Sequence, residues 1–211
     1  MNPPAFFAGL DLGKRQDYTA FAVIECHRTV LGRDPVTWAH VVRWDLRVRR
    51  LTRFPLGTSY RELLTLIEHQ MRTPAFGIDT PLVIDVTGVG EVMFDLLKGS
   101  ALPLVPVSIT AGDRAAWHDG RWHVPKQQFV ETLAVLIEQR KLQVAAQLPL
   151  AEVLLQELSG FEAGVKPSGH PVFAARAGLH DDLVTAVALA CWYCRRQCRD
   201  LSSGPGPPYL F

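Results

Sequence analysis

The sequence predicts an α/β fold: a mixed central β-sheet, an antiparallel meander joined to parallel strands, flanked by α-helices. Three observations predict it. Apolar, β-branched runs over residues 6–12, 18–26 and 36–46 follow one another through short polar turns. A strand, helix and strand over 81–109 then have the spacing of a parallel crossover. From residue 125 onward, apolar residues recur mostly at helical spacing.

Each element has its own signal. Phe6 to Leu12 is a short buried strand, and Tyr18 to Cys26 is rich in β-branched and aromatic residues. Ser59, with Glu62 three positions on, is a capping-box start for a helix that continues through Leu63, Leu66, Ile67 and Met71. Pro81-Leu-Val-Ile-Asp-Val is a buried strand ending at Asp85. Thr87-Gly-Val-Gly turns into a helix over 91–98, and Leu104 to Ile109 is the next strand. Asp119-Gly120, within Trp117-His-Asp-Gly-Arg-Trp-His, favours a tight hairpin. Pro125 suits the first position of a helix whose apolar stripe is Val130, Leu133, Ala134, Ile137 and Leu142. A further helix is expected over 149–158, then a Gly- and Pro-containing excursion over 160–171 and a strand at 172–175. The last helix opens at His180-Asp181-Asp182 and buries Leu183, Val187, Ala190, Cys191 and Cys194. Residues 1–200 are expected to form a single domain, with 201–211 a flexible Pro/Gly-rich tail.

With 211 residues, 48% of them hydrophobic and 20% charged, the chain has globular composition and length enough for its own core. Its formal charge of +1 gives no support for a broad nucleic-acid surface, so any such contact must be local. No signal-peptide pattern and no apolar run of bilayer length are present, so no membrane partner is expected. A soluble protein in a cytosol is expected, with reduced thiols at Cys26, Cys191, Cys194 and Cys198. Cys191 and Cys194, with Cys198, have the look of a zinc set. Cys191 and Cys194 fall on the apolar face of the helix and no fourth ligand is in view, so buried thiols are expected.

The acidic residues carry the chemistry. Asp11 lies in the first strand, Asp85 ends a later one, and Asp181 and Asp182 open the last helix. Singly, each has an ordinary use: a strand-end turn, an Asx-turn before Gly88, or a helix cap. Jointly, buried carboxylates on elements able to converge call for a shared cation. Magnesium is a hard ion that takes carboxylate oxygens. Two such ions roughly 3.5–4 Å apart activate water and stabilise the leaving oxygen of a phosphodiester. Asp11 would then bridge both ions. Asp181 and Asp182 stand about 100° apart around a helix, so they do not aim identically.

These residues resemble a known family. Gly9-Leu-Asp-Leu-Gly with Asp17-Tyr-Thr-Ala resembles the first nuclease motif of phage terminase large subunits, and Asp85-Val-Thr-Gly-Val-Gly their second. Val124-Pro-Lys-Gln, Leu142 and the stretch to Glu157-Leu-Ser-Gly-Phe look like their middle segment. His180-Asp-Asp-Leu-Val resembles their last acidic motif. The likeness covers roughly residues 6 to 195. It implies an RNase H-like fold in the C-terminal, nuclease half of such a subunit and two divalent ions, Mg²⁺ or Mn²⁺. The implied activity is endonucleolytic cutting of concatemeric viral DNA during packaging in a bacterial host cytoplasm. On the same resemblance, Asp11, Asp85 and Asp182 are the catalytic metal ligands, Asp181 and Asp17 are auxiliary acids, and the 110–124 stretch is a β-hairpin near DNA. The implied partners are double-stranded DNA and a separate packaging ATPase, small terminase subunit or portal. The sequence has no G-x-x-x-x-G-K-[ST] loop, so DNA translocation is not expected of it.

Arg43, Arg47, Arg49 and Arg50, with Arg53, form the densest basic run and are candidates for phosphate contact, as is Lys126 at a helix start. The competing use of each is a solvated edge. His180 is either a partner to a metal ligand or a helix cap. Trp117, Trp122 and His123 are expected to pack the hairpin. Other readings are a Holliday-junction resolvase-like nuclease, a non-catalytic DNA-binding relative, and an actin-like or sugar-kinase ATPase suggested by Gly9-Leu-Asp-Leu-Gly. The chain is short for the last.

Overall fold

The computed structural model describes residues 5–13, 17–165, 171–175 and 181–202. The chain opens with strands β1 (Ala5–Asp11), β2 (Thr19–Arg33) and β3 (His40–Phe54), paired antiparallel in turn. Helix α1 (Tyr60–Met71) leads to β4 (Leu82–Asp85), α2 (Val89–Leu97) and β5 (Leu104–Thr110). The hairpin of β6 (Ala116–His118) and β7 (Arg121–Pro125) runs into α3 (Lys126–Glu138). Then come β8 (Leu142–Val144), α4 (Ala151–Gly160), β9 (Phe161–Val165), β10 (Pro171–Ala175) and the long α5 (Asp182–Ser202). The main sheet has eight strands in the order β6-β7-β5-β4-β1-β2-β3-β8, parallel through β1, β4, β5 and β7. This is the expected mixed sheet.

Local chemistry explains the starts and turns. The Ser59 hydroxyl accepts from the Glu62 amide at 3.3 Å and caps α1. Asp119 (φ 53°) and Gly120 (φ 72°) both take the left-handed conformation that a two-residue hairpin turn needs. The differences are instructive. Strand β3 runs on through the arginines to Phe54, because Leu46, Val48 and Leu51 bury between them. Leu142 belongs to no helix: Arg140, at φ 53°, ends the turn after α3, and Leu142 pairs with Leu46 in β8. Part of the expected excursion is β9, paired antiparallel with β10. Helix α5 continues through Leu201 and Ser202, and residues 203–211 lie outside the described residues.

Strand alternation decides which side chains reach α5. Phe7 and Val83 bury in the core beneath α5, whereas Ala8, Leu10, Leu82 and Ile84 bury beneath α1 and α2. With a period of two, Gly9, Asp11 and Asp85 therefore belong to the α5 face. A bulge between Val23 and Ile24 skips Arg49, after which Leu51 and then Arg53 also belong to that face. Gly9 is where α5 lies directly on β1: a Cβ there would sit 1.9 Å from the Ala186 carbonyl oxygen. Gly9→Val is expected to destabilise the fold by about 3 kcal/mol by forcing helix and sheet apart. An unchanged urea midpoint would show that α5 is not seated there.

Candidate metal centre

The C-terminal ends of β1 and β4 lie side by side, with Leu10 opposite Ile84 in parallel register. Asp11 and Asp85 thus end adjacent strands on one face. The first turn of α5 crosses this edge. Asp11, Asp85, Thr87, Lys126 and Asp181 line a cleft of about 320 Å³, whose apolar wall includes Phe129, Leu133 and Val184.

Hydrogen bonds hold Asp85, Thr87 and Asp181 in the wall. Asp85 Oδ1 accepts from the Thr87 amide at 2.9 Å, and the Thr87 hydroxyl accepts from the Ile109 amide at 3.1 Å. Asp85 therefore makes an Asx-turn and faces the cleft at once. Gly90 brings α2 onto this strand end, since a Cβ there would fall 1.9 Å from the Asp85 carbonyl oxygen. The Asp181 carbonyl accepts from both the amide and the hydroxyl of Thr185 at 2.8 Å. That places Asp181 at the cap of α5, where its side chain would ordinarily take a first-turn amide. Glu157 takes one instead: its Oε2 accepts from the Val184 amide at 3.0 Å. The Asp181 carboxylate is left to the cleft, 3.5 Å from Lys126 Nζ.

Asp182 points elsewhere. It is buried, and Arg53 donates to both its oxygens, Nε to Oδ2 at 2.7 Å and Nη2 to Oδ1 at 3.1 Å. The same guanidinium donates to Glu157 and lies over the Tyr18 ring, 4.9 Å from its centroid. The sequence itself left open which of Asp181 and Asp182 is the primary ligand, and the resemblance implied Asp182; the geometry brings Asp181 together with Asp11 and Asp85 and ties Asp182 to Arg53. The angular step between successive helix residues is the reason. Asp17 is exposed and is not part of the cleft wall. His180 lies outside the described residues.

Electrostatics mark the cleft as a place for a cation. Burial, then the charges of Asp85, Asp181 and Asp182, push the Asp11 carboxyl well above its ordinary value, against the pull of Lys126. Burial also raises Asp85, opposed by its hydrogen bonds from Thr87 and Ile109 and by Lys126. Among the described residues, one basic side chain, Lys126, lines a wall carrying three carboxylates. All the ionic donors are oxygens, the set that a hard divalent ion takes.

Burial pushes the Glu157 carboxyl up to about 7. A neutral Glu157 leaves Arg53 and Asp182 balanced one against one. The native state then holds a proton that the unfolded chain releases near 4.5, so stability falls as pH rises from about 4.5 to about 7. In chelator-treated protein, Glu157→Gln is expected to flatten that slope, by at most about 3 kcal/mol across the window. Urea melts at pH 5 and pH 8 test it, and parallel pH profiles for wild type and variant would refute it.

The basic run does not gather at the cleft. Arg43 pairs with Asp45 at 3.0 Å, Arg49 with Glu25 at 3.2 Å, and Arg50 donates to Gln70 at 2.5 Å and Thr73 at 3.1 Å. Arg47 is exposed. Strand alternation and the bulge scatter a run that is continuous in sequence. Cys191 and Cys194 are buried, as expected of an apolar helix face, and burial pushes the Cys191 thiol up. Cys198 lies outside the residues whose side chains are described. Trp122 packs edge-on against Trp117 and Trp192. The sequence offered Arg53 only as a phosphate contact, not as the partner of Asp182, and did not single out Glu157. Glu157 stands in the quoted middle segment, and no spacing rule ties it to α5.

No family model matches the chain. The curated large terminase subunits of Thermus phage G20c and Thermus virus P23-45 are 26% and 27% identical over 186 and 189 residues, 86% of this chain. The chain spans 30% of the length of each. Among solved structures, the large terminase nuclease of thermophilic phage G20c with bound magnesium matches at TM-score 0.61 and 24% identity, over 90% of this chain and 82% of that one. The same nuclease with bound cobalt matches at 0.60 and 23%, with the same coverage. The resemblance to terminase nuclease domains, and the RNase H-like fold it implied, are borne out.

Proposed function

We propose that this chain, which carries the fold of the large terminase nucleases, is a metal-dependent endodeoxyribonuclease that cuts concatemeric viral DNA during genome packaging. The observation that carries the reading is the convergence of Asp11, Asp85 and Asp181, from three distant segments, on one cleft opposite Lys126. Two divalent ions roughly 3.5–4 Å apart are the arrangement that activates a water and stabilises the leaving oxygen in phosphodiester hydrolysis.

In this reading Asp11, Asp85 and Asp181 hold the ions directly, Mg²⁺ or Mn²⁺, and Asp182 supports them from its place on Arg53. When bound, the ions supply Lewis-acid stabilisation and an activated water. The protein's own part is positioning. Thr87 fixes the Asp85 carboxylate, Glu157 frees that of Asp181, and Lys126 meets a phosphate of the substrate. Arg43, Arg47 and Arg49, exposed on β3, would touch backbone farther along the duplex. Arg50, engaged with Gln70 and Thr73, is left without a role, and so is Asp17.

Double-stranded DNA is the substrate, and a packaging ATPase, small terminase subunit or portal would deliver it in the host cytoplasm. No helix among the described residues is long and apolar enough to cross a membrane. Residues 1–200 would act as one nuclease domain. Digestion of supercoiled plasmid and linear duplex with Mn²⁺ or Mg²⁺ tests the reading. Intact plasmid, together with no metal binding by calorimetry, would end it.

A further inference from the structure

A second set of metal-ligating side chains stands apart from the acidic cleft, on the β6–β7 hairpin. Ala116 pairs with His123 and His118 with Arg121, so His118 and His123 are diagonal neighbours on one face of the ribbon, with Asp119 in the turn. One ligand atom from each of His118, Asp119 and His123 lies within 4.8 Å of the others. Asp119 Oδ2 is 3.0 Å from His118 Nδ1. The two imidazoles stack, with centroids 3.6 Å apart and planes 6° from parallel. His123 Nε2 is buried and has no hydrogen-bond partner, an unusual state for an imidazole nitrogen. Arg121, on the strand opposite His118, is held in a fork by Glu91, at 2.5 and 2.8 Å, and its charge is answered there.

We infer that His118, Asp119 and His123 form a binding site for a transition ion of the Zn²⁺ class, with water in the remaining position. Two imidazoles and a carboxylate are the ligand set of zinc sites that keep one position open. Imidazole nitrogen favours Zn²⁺, Ni²⁺ or Co²⁺, whereas the all-oxygen cleft suits Mg²⁺ or Mn²⁺. The two sites are therefore sorted by ligand softness. Metal–ligand bonds of about 2.0–2.1 Å put tetrahedral ligand atoms roughly 3.3 Å apart. Coordination needs the His118 ring to swing off the stack, since parallel rings aim their in-plane lone pairs side by side, and His118 and Asp119, with side chains 54% and 86% exposed, have room for that movement. A bound ion staples the hairpin turn to β7, which runs straight into Lys126 at the cleft.

The test is calorimetric titration of the full chain with Zn²⁺ in a buffer holding excess Mg²⁺, which occupies the oxygen-lined cleft. Trp117 and Trp122 fluorescence on addition of Co²⁺ is a second readout on the hairpin itself. Wild type is expected to bind one Zn²⁺ at the hairpin. His118→Ala and Asp119→Asn, both at exposed positions, are each expected to weaken that binding at least about tenfold, the minimum seen even for loss of an outer-shell partner. Asp85→Asn should leave it unchanged. Identical isotherms for wild type and the hairpin variants would overturn the assignment. So would loss of Zn²⁺ binding in Asp85→Asn alone, which would give the ion to the cleft. Neither result depends on whether the chain cuts DNA.

Discussion

Asp85→Asn is expected to slow metal-dependent DNA cutting by about a thousandfold or more, since a lost ion removes several kcal/mol of transition-state stabilisation. The substitution is chosen to spare the fold. An amide oxygen still accepts from the Thr87 amide, so the Asx-turn that joins β4 to α2 persists. What disappears is one negative charge whose burial is already unfavourable. Thermal stability should therefore hold or rise slightly while cutting collapses, a combination that general unfolding does not produce. Asp11→Asn should behave alike, because burial and three neighbouring acids disfavour its charge as well. Asp181→Asn and Asp182→Asn then separate the two helix-start acids. The first is expected to lose activity at unchanged stability, and the second to lose stability because Arg53 keeps Glu157 but forfeits the carboxylate that takes two of its hydrogen bonds. Plasmid cleavage with Mn²⁺ beside a thermal melt measures both. Wild-type cutting by Asp85→Asn would remove the cleft from the mechanism.

Arg53→Met is expected to cost about 3–5 kcal/mol of stability, the usual consequence of stripping one partner from a buried ion pair. The Arg53 side chain is only 17% exposed, and it satisfies Asp182 and Glu157 together. Methionine fills much of the volume but leaves Asp182 charged in a buried place. Adding Asp182→Asn and Glu157→Gln removes the stranded groups, so the triple variant should recover most of the loss. Urea denaturation distinguishes these cases. A loss below about 1 kcal/mol would mean that the pair behaves as a solvated surface bridge. Because Glu157 also caps the Val184 amide, the single variant should loosen the start of α5 and lower cutting through misplaced Asp181.

Much of this was legible in the chain. Alternation in Phe-Phe-Ala-Gly-Leu-Asp and Leu-Val-Ile-Asp already puts Asp11 and Asp85 on one face if the two strands are neighbours. Gly9 and Gly90 sit where a side chain would meet backbone, the Ala186 carbonyl of α5 for the first and the Asp85 carbonyl for the second. The arginines of β3 misled because charge obscured the apolar positions beside them. A single bulge at Arg49 then sent Arg53 inward, and a one-residue irregularity leaves no mark in composition. Strand β8 was hidden for a related reason: three residues after a left-handed Arg140 carry too little periodicity to be told from a fraying helix.

By itself the sequence determined most of the elements and their order, β8 and β9 excepted, and the candidate acids at strand and helix ends. These follow from local periodicity and from the cost of burying a carboxylate. Only the tertiary structure decided that Asp181 rather than Asp182 turns into the cleft, and that Arg53 and Glu157 hold its neighbour. Those outcomes depend on which side chains from β3 and α4 arrive beside the first turn of α5. No local rule encodes a meeting between residues more than a hundred positions apart, such as that of Arg53 with Asp182.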